Sequence, residues 1–307
     1  MKAIQYNTPL KAGTTLKLAV FSDIHFDSVY SDHQTLKKHL DFCLKEGRFV
    51  IINGDLFDAI LLKDQKRATN HLMEQNDNQL NAKINKVVEF LKPYRDIILF
   101  IGRGNHEESI LKYSGIDILE ITTQLLNADN KSKHQIQYGN YSNFLRFNFT
   151  DTRNKSVLHY DIFMHHGLGS SNSPVTAGMI DFNRLSTSIL ADLVVIGHKH
   201  RAVQNNSQPI MYIDQAGEVR QKNRQFMQTP SYQKSHEIDN HNVKFGERFY
   251  TLSSLPGYGS IELTPYYEDG KYKLGTDLKI ITNPYAKIGE LQSYKLKLMR
   301  KQKENQK

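Results

Sequence analysis

The chain has 307 residues, of which 39% are hydrophobic and 23% charged, with one cysteine and a formal net charge of +8. This composition is typical of a folded protein with a substantial core, and it excludes a largely disordered chain. A single cysteine excludes an internal disulfide, and no apolar run approaches the roughly 18 residues of a membrane-spanning helix.

Residues 1–17 contain no apolar run of the length found in signal peptides. We therefore expect the protein to be made and kept in a reducing cytoplasm, that of the host if the gene is viral, with no membrane partner. Cys43 lies in an apolar stripe with Leu36 and Leu40. This spacing predicts a buried cysteine on a helix rather than a reactive thiol.

Short apolar segments predict five strands, and each is followed at once by polar residues. Runs of four to six apolar residues are typical of strands buried on both faces of a sheet. The segments are 17–22, 49–53, 97–101, 161–164 and 193–196.

Helical patterns lie between these strands. Apolar residues at three- and four-residue spacing predict helices over 33–46 and over 64–92, the second ended by Pro93. A shorter helix is predicted over 181–190, opened by an Asp181 cap. Alternating strands and helices indicate an α/β fold with a mainly parallel sheet covered by helices.

The last third of the chain changes character. Short strands are predicted over 249–252, 260–263 and 271–274, the last after a turn at 268–270. They indicate a second, partly antiparallel sheet. We found no linker that would divide the chain, so a single domain is predicted over 1–285, with a motif core at about 16–202 and additional strands over 203–285.

Residues 286–307 are predicted to form a basic amphipathic helical tail. Its final segment, 293–307, holds six basic residues and one acidic residue, which is +5 of the net +8. Such a tail is either a solvated helix end or a surface that binds nucleic acid.

Potential metal ligands follow all five predicted strands. They are Asp23 and His25, Asp55 and Asp58, Asn105 and His106, His165 and His166, and His198 and His200. Gathered at one sheet edge, so many carboxylates and imidazoles would be costly unless cations neutralised them. Imidazole, carboxylate and amide oxygen without thiolate favour Mn, Fe or Zn, and about seven ligands suit two ions.

These motifs resemble, in order and spacing, those of the calcineurin-like metallophosphoesterases, over about residues 16–202. They read Asp23-x-His25, Gly54-Asp55-x-x-Asp58, Gly104-Asn105-His106-Glu107, His165-His166 and Gly197-His198-x-His200. The resemblance implies a four-layer αββα sandwich, in which two mixed sheets are flanked by helices. It also implies a dinuclear metal site at one sheet edge and the hydrolysis of phosphoesters.

The resemblance also implies a role for each candidate ligand. One ion would be held by Asp23, His25, Asp55 and His200. The other would be held by Asp55, Asn105, His165 and His198, so that Asp55 bridges the two. Of the adjacent histidines we take His165 as the ligand, and His166 would then support the ligands or face the substrate. The cofactors expected are two divalent ions, Mn first, with Fe or Zn as alternatives.

A mechanism follows from this assignment. A water or hydroxide bridging two cations is a nucleophile at neutral pH and would attack phosphorus in line. His106 is placed to protonate the leaving oxygen. Asp58 is either the acceptor that orients His106 or a plain helix cap. Three cations flank the motifs as candidate phosphate contacts, namely Arg103, Lys199 and Arg201.

The details of the motifs bear on which phosphoester is cleaved. Asp58 is followed by Ala59-Ile60, whereas protein Ser/Thr phosphatases have Arg-Gly there. Two histidines in the fifth motif are similar to those of phosphodiesterases and SbcD-type repair nucleases, and the layout also resembles phage-encoded members. We therefore expect a phosphodiesterase or nuclease with DNA or RNA as candidate substrates. The alternatives are a hydrolase of small phosphomonoesters or cyclic nucleotides, and a non-catalytic nucleic-acid-binding component.

Overall fold

The computed structural model describes residues 1–58, 79–128, 134–151, 153, 155–167, 179–214, 216–234 and 255–284. Within these ranges the chain forms twelve strands and five α-helices. The strands are β1 (Lys2–Thr8), β2 (Leu16–Phe21), β3 (Phe49–Asn53), β4 (Ile98–Gly102), β5 (Gln137–Tyr138), β6 (Ser142–Thr150), β7 (Val157–His165), β8 (Leu193–Ile196), β9 (Val203–Ile213), β10 (Val219–Gln228), β11 (Tyr258–Glu268) and β12 (Lys271–Ile281). The helices are α1 (His33–Lys45), α2 (Gln79–Leu91), α3 (Asn105–Ser114), α4 (Ile118–Ala128) and α5 (Met179–Ser186).

The strands form two six-stranded sheets, and both are mixed. The first sheet has the order β12-β11-β2-β3-β4-β5, and the second has the order β1-β6-β7-β8-β10-β9. The five strands that precede the motifs are therefore divided, because β2, β3 and β4 lie in the first sheet and β7 and β8 in the second. This division confirms the two mixed sheets implied by the family resemblance, and it corrects the single parallel sheet inferred from alternation alone.

The chain end does not build a sheet of its own. The predicted turn at 268–270 joins β11 and β12 into an antiparallel hairpin, but β11 also pairs antiparallel with β2 and extends the first sheet. The separate second sheet predicted for this region is therefore wrong. Strand β3 pairs with one edge of β2, and β11 satisfies the backbone hydrogen-bonding groups on the other edge.

The two sheets pack face to face, with helices on both outer faces. Buried side chains from both sheets form the central core, among them Val20, Ile51, Phe147 and Ile162. The outer face of the first sheet packs against α1, α2, α3 and α4, and the outer face of the second packs against α5. The four-layer αββα sandwich is thus confirmed, and each sheet buries both faces, as its apolar strands require.

The strands predicted over 17–22, 49–53, 97–101 and 193–196 and the helix predicted over 33–46 agree with the structure within one residue. Strands β7, β11 and β12 are longer than predicted. Helix α1 begins after Asp32, whose side chain accepts a hydrogen bond from the N–H of Thr35, and α2 ends two residues before Pro93. Cys43 on α1 is fully buried, as predicted. Helix α5 starts earlier than expected, so Asp181 lies in its first turn and is not the cap.

Some predictions lie outside the described residues. These are the first part of the helix over 64–92, the strand over 249–252 and the tail over 286–307. No helix among the described ranges is long and apolar enough to cross a membrane.

Candidate metal centre

The candidate ligands lie where the ends of strands from both sheets meet, and the backbone there is unusual. Seven described residues other than glycine have positive φ, and five of them belong to the predicted ligand set. Their φ angles are 51° for Asp23, 47° for His25, 49° for Asp55, 67° for His198 and 54° for His200. A side chain in this region costs about 1 kcal/mol or more, and such strain concentrates at functional sites.

Hydrogen bonds between two loops hold this strained backbone. The N–H of Asp23 donates to the carbonyl of Gly54 (3.1 Å), and the N–H of His25 donates to the carbonyl of Asp55 (2.9 Å). The loops after β2 and β3 therefore continue the pairing of their parallel strands beyond the sheet. As a result, the first two motifs are fixed relative to each other.

Glycines allow the loops to approach closely at two positions. A Cβ on Gly104 would lie 2.0 Å from Oδ1 of Asp55, and one on Gly54 would lie 2.5 Å from Nδ1 of His166. Gly54 also has a φ of +83°, which favours glycine. A larger residue at either position would push the motifs apart.

The loops bring potential ligand atoms together in three overlapping groups. Within each group the atoms lie within 4.8 Å of one another. The groups are Asp23, Asp55, His166 and His198; Asp23, His25 and His200; and His25, Asp55 and His106. Because the groups share Asp23, Asp55 and His25, they form one continuous centre and not separate sites.

Asp55 lies at the middle of this centre. Its Oδ2 lies 3.0 Å from Nε2 of His166 and 3.8 Å from Nε2 of His25. The amide oxygen of Asn105 lies 3.1 Å from Nε2 of His166. Asp55 therefore lies between His25 and His166, which is the position that a bridging carboxylate needs.

The structure places the two adjacent histidines differently. His166 is fully buried, belongs to the first group and forms a hydrogen bond from Nδ1 to the carbonyl of Asn53 (2.9 Å), leaving Nε2 toward Asp55. His165 instead accepts a hydrogen bond from the N–H of Gly167 through its Nδ1 (3.0 Å) and belongs to none of the three groups. Of the two histidines, His166 is therefore the one whose ring lies among the potential ligand atoms.

Asp23 is fixed by hydrogen bonds from its own strand end and from the fifth motif. The hydroxyl of Ser22 donates to its Oδ2 (2.5 Å), and the N–H of His198 donates to both carboxylate oxygens (3.1 and 2.9 Å). Nε2 of His200 lies 3.4 Å from Oδ1. The first and fifth motifs, which come from different sheets, therefore meet at this carboxylate.

The facing histidines reverse the effect of burial on the acidic ligands. Burial by itself raises the pKa of a carboxyl group, and Asp23 and Asp55 are almost fully buried. His166 and His200 outweigh burial and hold the pKa of Asp23 well below its ordinary value. His166 does the same for Asp55. Both carboxylates are therefore ionised at neutral pH.

The histidines divide according to the carboxylates they face. Burial lowers the pKa of an imidazole, but Asp58 and Asp55 outweigh it and raise the pKa of His25 to about 9. Asp55 likewise outweighs burial and raises the pKa of His166 to about 10. At His198, burial and the neighbouring His166 lower the pKa to about 4. The protons on His25 and His166 thus balance the two buried carboxylates.

These side chains fit divalent cations. Neither ring nitrogen of the buried His25 forms a hydrogen bond to any described residue, although Nδ1 lies 3.3 Å from Oδ1 of Asp58. A buried polar atom without a hydrogen bond is unusual. Cations would take the place of the balancing protons and would bind the imidazole nitrogens and carboxylate oxygens directly. The donor set agrees with the ligand types expected for Mn, Fe or Zn.

His106 and Asp58 lie beside the centre, in contact with each other. Nδ1 of His106 donates to the carbonyl of Asp58 (2.5 Å) and lies 3.2 Å from its carboxylate oxygen Oδ1. Nε2 of His106 lies 3.9 Å from Oδ2 of Asp55. The predicted contact between Asp58 and His106 is therefore present, and it leaves the other ring nitrogen directed toward the centre.

The sequence motifs contain Glu107, but no role was predicted for it. Its buried carboxylate accepts hydrogen bonds from the N–H groups of Asp55 (3.2 Å), Phe57 (2.9 Å) and Gly104 (2.8 Å). Burial and the charge of Asp55 raise the pKa of Glu107 to about 7. The signal was its position three residues after Gly104, where a glutamate at a helix start commonly accepts the N–H of the capping residue.

Two of the three cations predicted to contact phosphate form ion pairs within the protein. Arg103 is buried and pairs with Asp117 and, at 3.4 Å, with Glu108. Lys199 is also buried, with its Nζ 3.5 Å from Oδ2 of Asp181 on α5. Both cations therefore already neutralise acidic residues of the protein, and their contact with phosphate stays a prediction. Arg201 is partly exposed, and its carbonyl accepts a hydrogen bond from Gln228 (2.9 Å).

Several solved structures are similar to this chain. A conserved uncharacterised protein of Streptococcus pneumoniae, a predicted phosphoesterase, is 12% identical with a TM-score of 0.30, over 87% of this chain and all of its own. Vps29 of Entamoeba histolytica, in complex with Zn²⁺, is 10% identical with a TM-score of 0.33, over 86% of this chain and 99% of its own. GAP50 of Plasmodium is 14% identical with a TM-score of 0.40, over 92% of this chain and 94% of its own.

The family comparison is more direct. No curated protein matches the chain. The calcineurin-like phosphoesterase family matches residues 16–202, which is more than half of the chain and contains all five motifs. This match, together with the centre formed by those motifs, identifies the chain as a member of the calcineurin-like phosphoesterase family.

Proposed function

We propose that the protein is a dinuclear metal-dependent phosphodiesterase, with nucleic acid as its substrate class. The observation that carries the proposal is the set of three overlapping ligand groups, with a fixed histidine, His106, at their border. Asp23, His25, Asp55 and His200 would hold one ion, and Asp55, Asn105, His166 and His198 the other. When bound, divalent cations supply an activated water and neutralise charge on the phosphoryl oxygens.

His106 would assist the leaving group. Its Nδ1 is engaged by Asp58, so the ring orientation and the tautomer are set, and Nε2 is the nitrogen available to give a proton. A positioned acid of this kind contributes about 10²–10⁴-fold to the rate. Asp58 thus orients the ring without contacting the substrate itself.

The preference for a diester rests on charge. A phosphomonoester dianion is best held by a free guanidinium, and Arg103 already pairs with Asp117 and Glu108. Ala59 stands where the protein Ser/Thr phosphatases have an arginine, and Lys199 is held against Asp181. A phosphodiester carries one negative charge fewer and needs less such compensation, which favours the diester over the monoester.

The proposal is tested by counting metals and comparing two esters. Protein loaded with Mn²⁺, Fe²⁺ or Zn²⁺ should bind two ions per chain and should hydrolyse bis-p-nitrophenyl phosphate far faster than p-nitrophenyl phosphate. Preference for the monoester would support the small-molecule phosphatase instead. Two bound ions without turnover of either ester would indicate a non-catalytic component, and fewer than two ions would contradict the dinuclear centre.

The role of His106 is tested by His106→Ala. The matched control is His159→Ala, because His159 lies near the start of β7, at the end of that strand away from His165. His106→Ala should keep both ions but lose about 10²–10⁴-fold in kcat on diphenyl phosphate, whose basic phenolate needs a proton donor. His159→Ala should retain wild-type activity. Loss of a metal ion in His106→Ala would instead make His106 a ligand.

The nucleic-acid part of the proposal is tested by truncation. Deleting residues 293–307 removes six basic residues and one acidic residue. Hydrolysis of bis-p-nitrophenyl phosphate should stay intact, whereas binding of single-stranded DNA should weaken and depend less on salt. Unchanged DNA binding would remove the tail from the proposal.

A further inference from the structure

Asp58 contacts two histidines of the centre at once. Its Oδ1 lies 3.2 Å from Nδ1 of His106 and 3.3 Å from Nδ1 of His25, while its carbonyl accepts the hydrogen bond of His106. Both its backbone and its side chain therefore determine where the His106 ring lies. A small shift of Asp58 would displace the ring as well.

Two residues outside the five motifs hold Asp58 in place. The N–H of Asp58 donates to Oδ1 of Asp27 (2.6 Å), and the ammonium group of Lys83 donates to Oδ2 of Asp27 (2.5 Å). The side chain of Asp27 is only 5% exposed, so its charge requires a partner close by. Lys83 is that partner, and its own side chain is 29% exposed.

Lys83 comes from a helix that is anchored independently of the motifs. It lies on α2, whose buried residues Ile84, Val87 and Leu91 pack in the core against the first sheet. A continuous line of polar contacts therefore runs from this helix through Asp27 and Asp58 to His106. It fixes the backbone of Asp58 at the end of the second motif.

We propose that Asp27 and Lys83 form a positioning pair for His106, acting through Asp58. The inference rests on the proposed phosphodiesterase function. In that reaction the oxygen of water bonds to phosphorus and the bond from phosphorus to the leaving oxygen breaks, with its electron pair on oxygen. His106 gives that oxygen a proton and regains one from solvent, which also receives the proton lost by water.

A positioning role predicts that the loss of rate depends on the leaving group. A proton donor matters more for a basic phenolate than for nitrophenolate, which leaves without much help. Lys83→Met should therefore lower kcat/KM for diphenyl phosphate about tenfold more than for bis-p-nitrophenyl phosphate. Lys86→Met is the matched control, because Lys86 is exposed on the same helix, and it should leave both rates unchanged.

A second variant separates positioning from general damage. Asp27→Asn should show the same dependence on the leaving group, and the double variant should be no worse than the more severe single variant, because both residues act through one contact. Equal losses on both esters in Lys83→Met, or additive losses in the double variant, would overturn the pair.

A readout without turnover distinguishes the failure of this inference from the failure of the proposed function. In protein whose histidines are labelled with ¹⁵N, the NMR signal of the Nδ1–H proton of His106 is the one that disappears in His106→Ala. This proton should be protected from exchange with water. Lys83→Met should speed its exchange at least tenfold, and Lys86→Met should not. If the exchange rates change in this way but the protein cleaves no ester, the positioning pair is supported and the phosphodiesterase function is rejected. Unchanged exchange in Lys83→Met would reject the pair.

Discussion

Replacing Glu107 should show how strongly one buried carboxylate holds the motifs together. Glu107→Ala removes the acceptor for three N–H groups, those of Asp55, Phe57 and Gly104. An unsatisfied buried donor costs about 1–3 kcal/mol. Removal of the charge beside Asp55 offsets part of this, so the expected loss in the free energy of unfolding is about 3–5 kcal/mol. Glu107→Gln keeps one acceptor oxygen and should lose about 1–2 kcal/mol.

The assay is urea unfolding of metal-free protein at pH 8, followed by far-ultraviolet circular dichroism. Glu108→Ala is the matched control, because Glu108 is the neighbouring residue, is 53% exposed and lies 3.4 Å from Arg103. An ion pair whose carboxylate is exposed to solvent contributes about 1 kcal/mol. If Glu107→Ala loses no more stability than Glu108→Ala, the three hydrogen bonds do not hold the loops as argued.

Three further predictions concern the histidines. His166→Ala should lose one of two bound metal ions whereas His165→Ala keeps both, and loss of an ion in His165→Ala alone, measured by mass spectrometry, would contradict the assignment. Burial lowers the pKa of His39 to about 4. The contribution of His39 to the free energy of unfolding is therefore fully present above pH 6.5 and is lost as the pH drops toward 4. Between pH 7.5 and 4.5, His39→Gln should lose about 2 kcal/mol less of its free energy of unfolding than the wild type does. Equal shifts of the urea midpoint in both proteins over this pH range would refute this. The raised pKa values of His25 and His166 predict that binding two ions at pH 7.5 releases about two protons, seen in calorimetry as a buffer-dependent enthalpy; an enthalpy that is the same in all buffers would contradict it.

The sequence by itself determined the strands that carry the motifs and the chemistry of the residues that follow them. Apolar runs such as 49–53 and 193–196 form strands at the predicted positions, because a strand buried on both faces tolerates few other residue types. The types of donor likewise follow from the residues alone. The helix pattern over 33–46 was equally direct, since its apolar stripe is a local signal.

Only the tertiary structure shows how the placements of His165 and His166 differ. They are adjacent in the chain, so spacing cannot separate them. His165 is the last residue of β7, paired with Ser142 of β6, and the chain leaves the strand immediately after it. His166 is then held by its N–H to Tyr141 and by its ring to Asn53, which brings its Nε2 to Asp55.

The tertiary structure also decided which charges are available. Arg103 and Lys199 lie within or beside the motifs, and nothing in the sequence argues against their contact with phosphate. Their partners, Asp117 and Asp181, lie 14 and 18 residues away in the chain and become neighbours only when α4 and α5 pack on the two sheets. Pairing between distant charges depends on the packing of elements and leaves no local pattern, which is why these roles could not be predicted from the motifs.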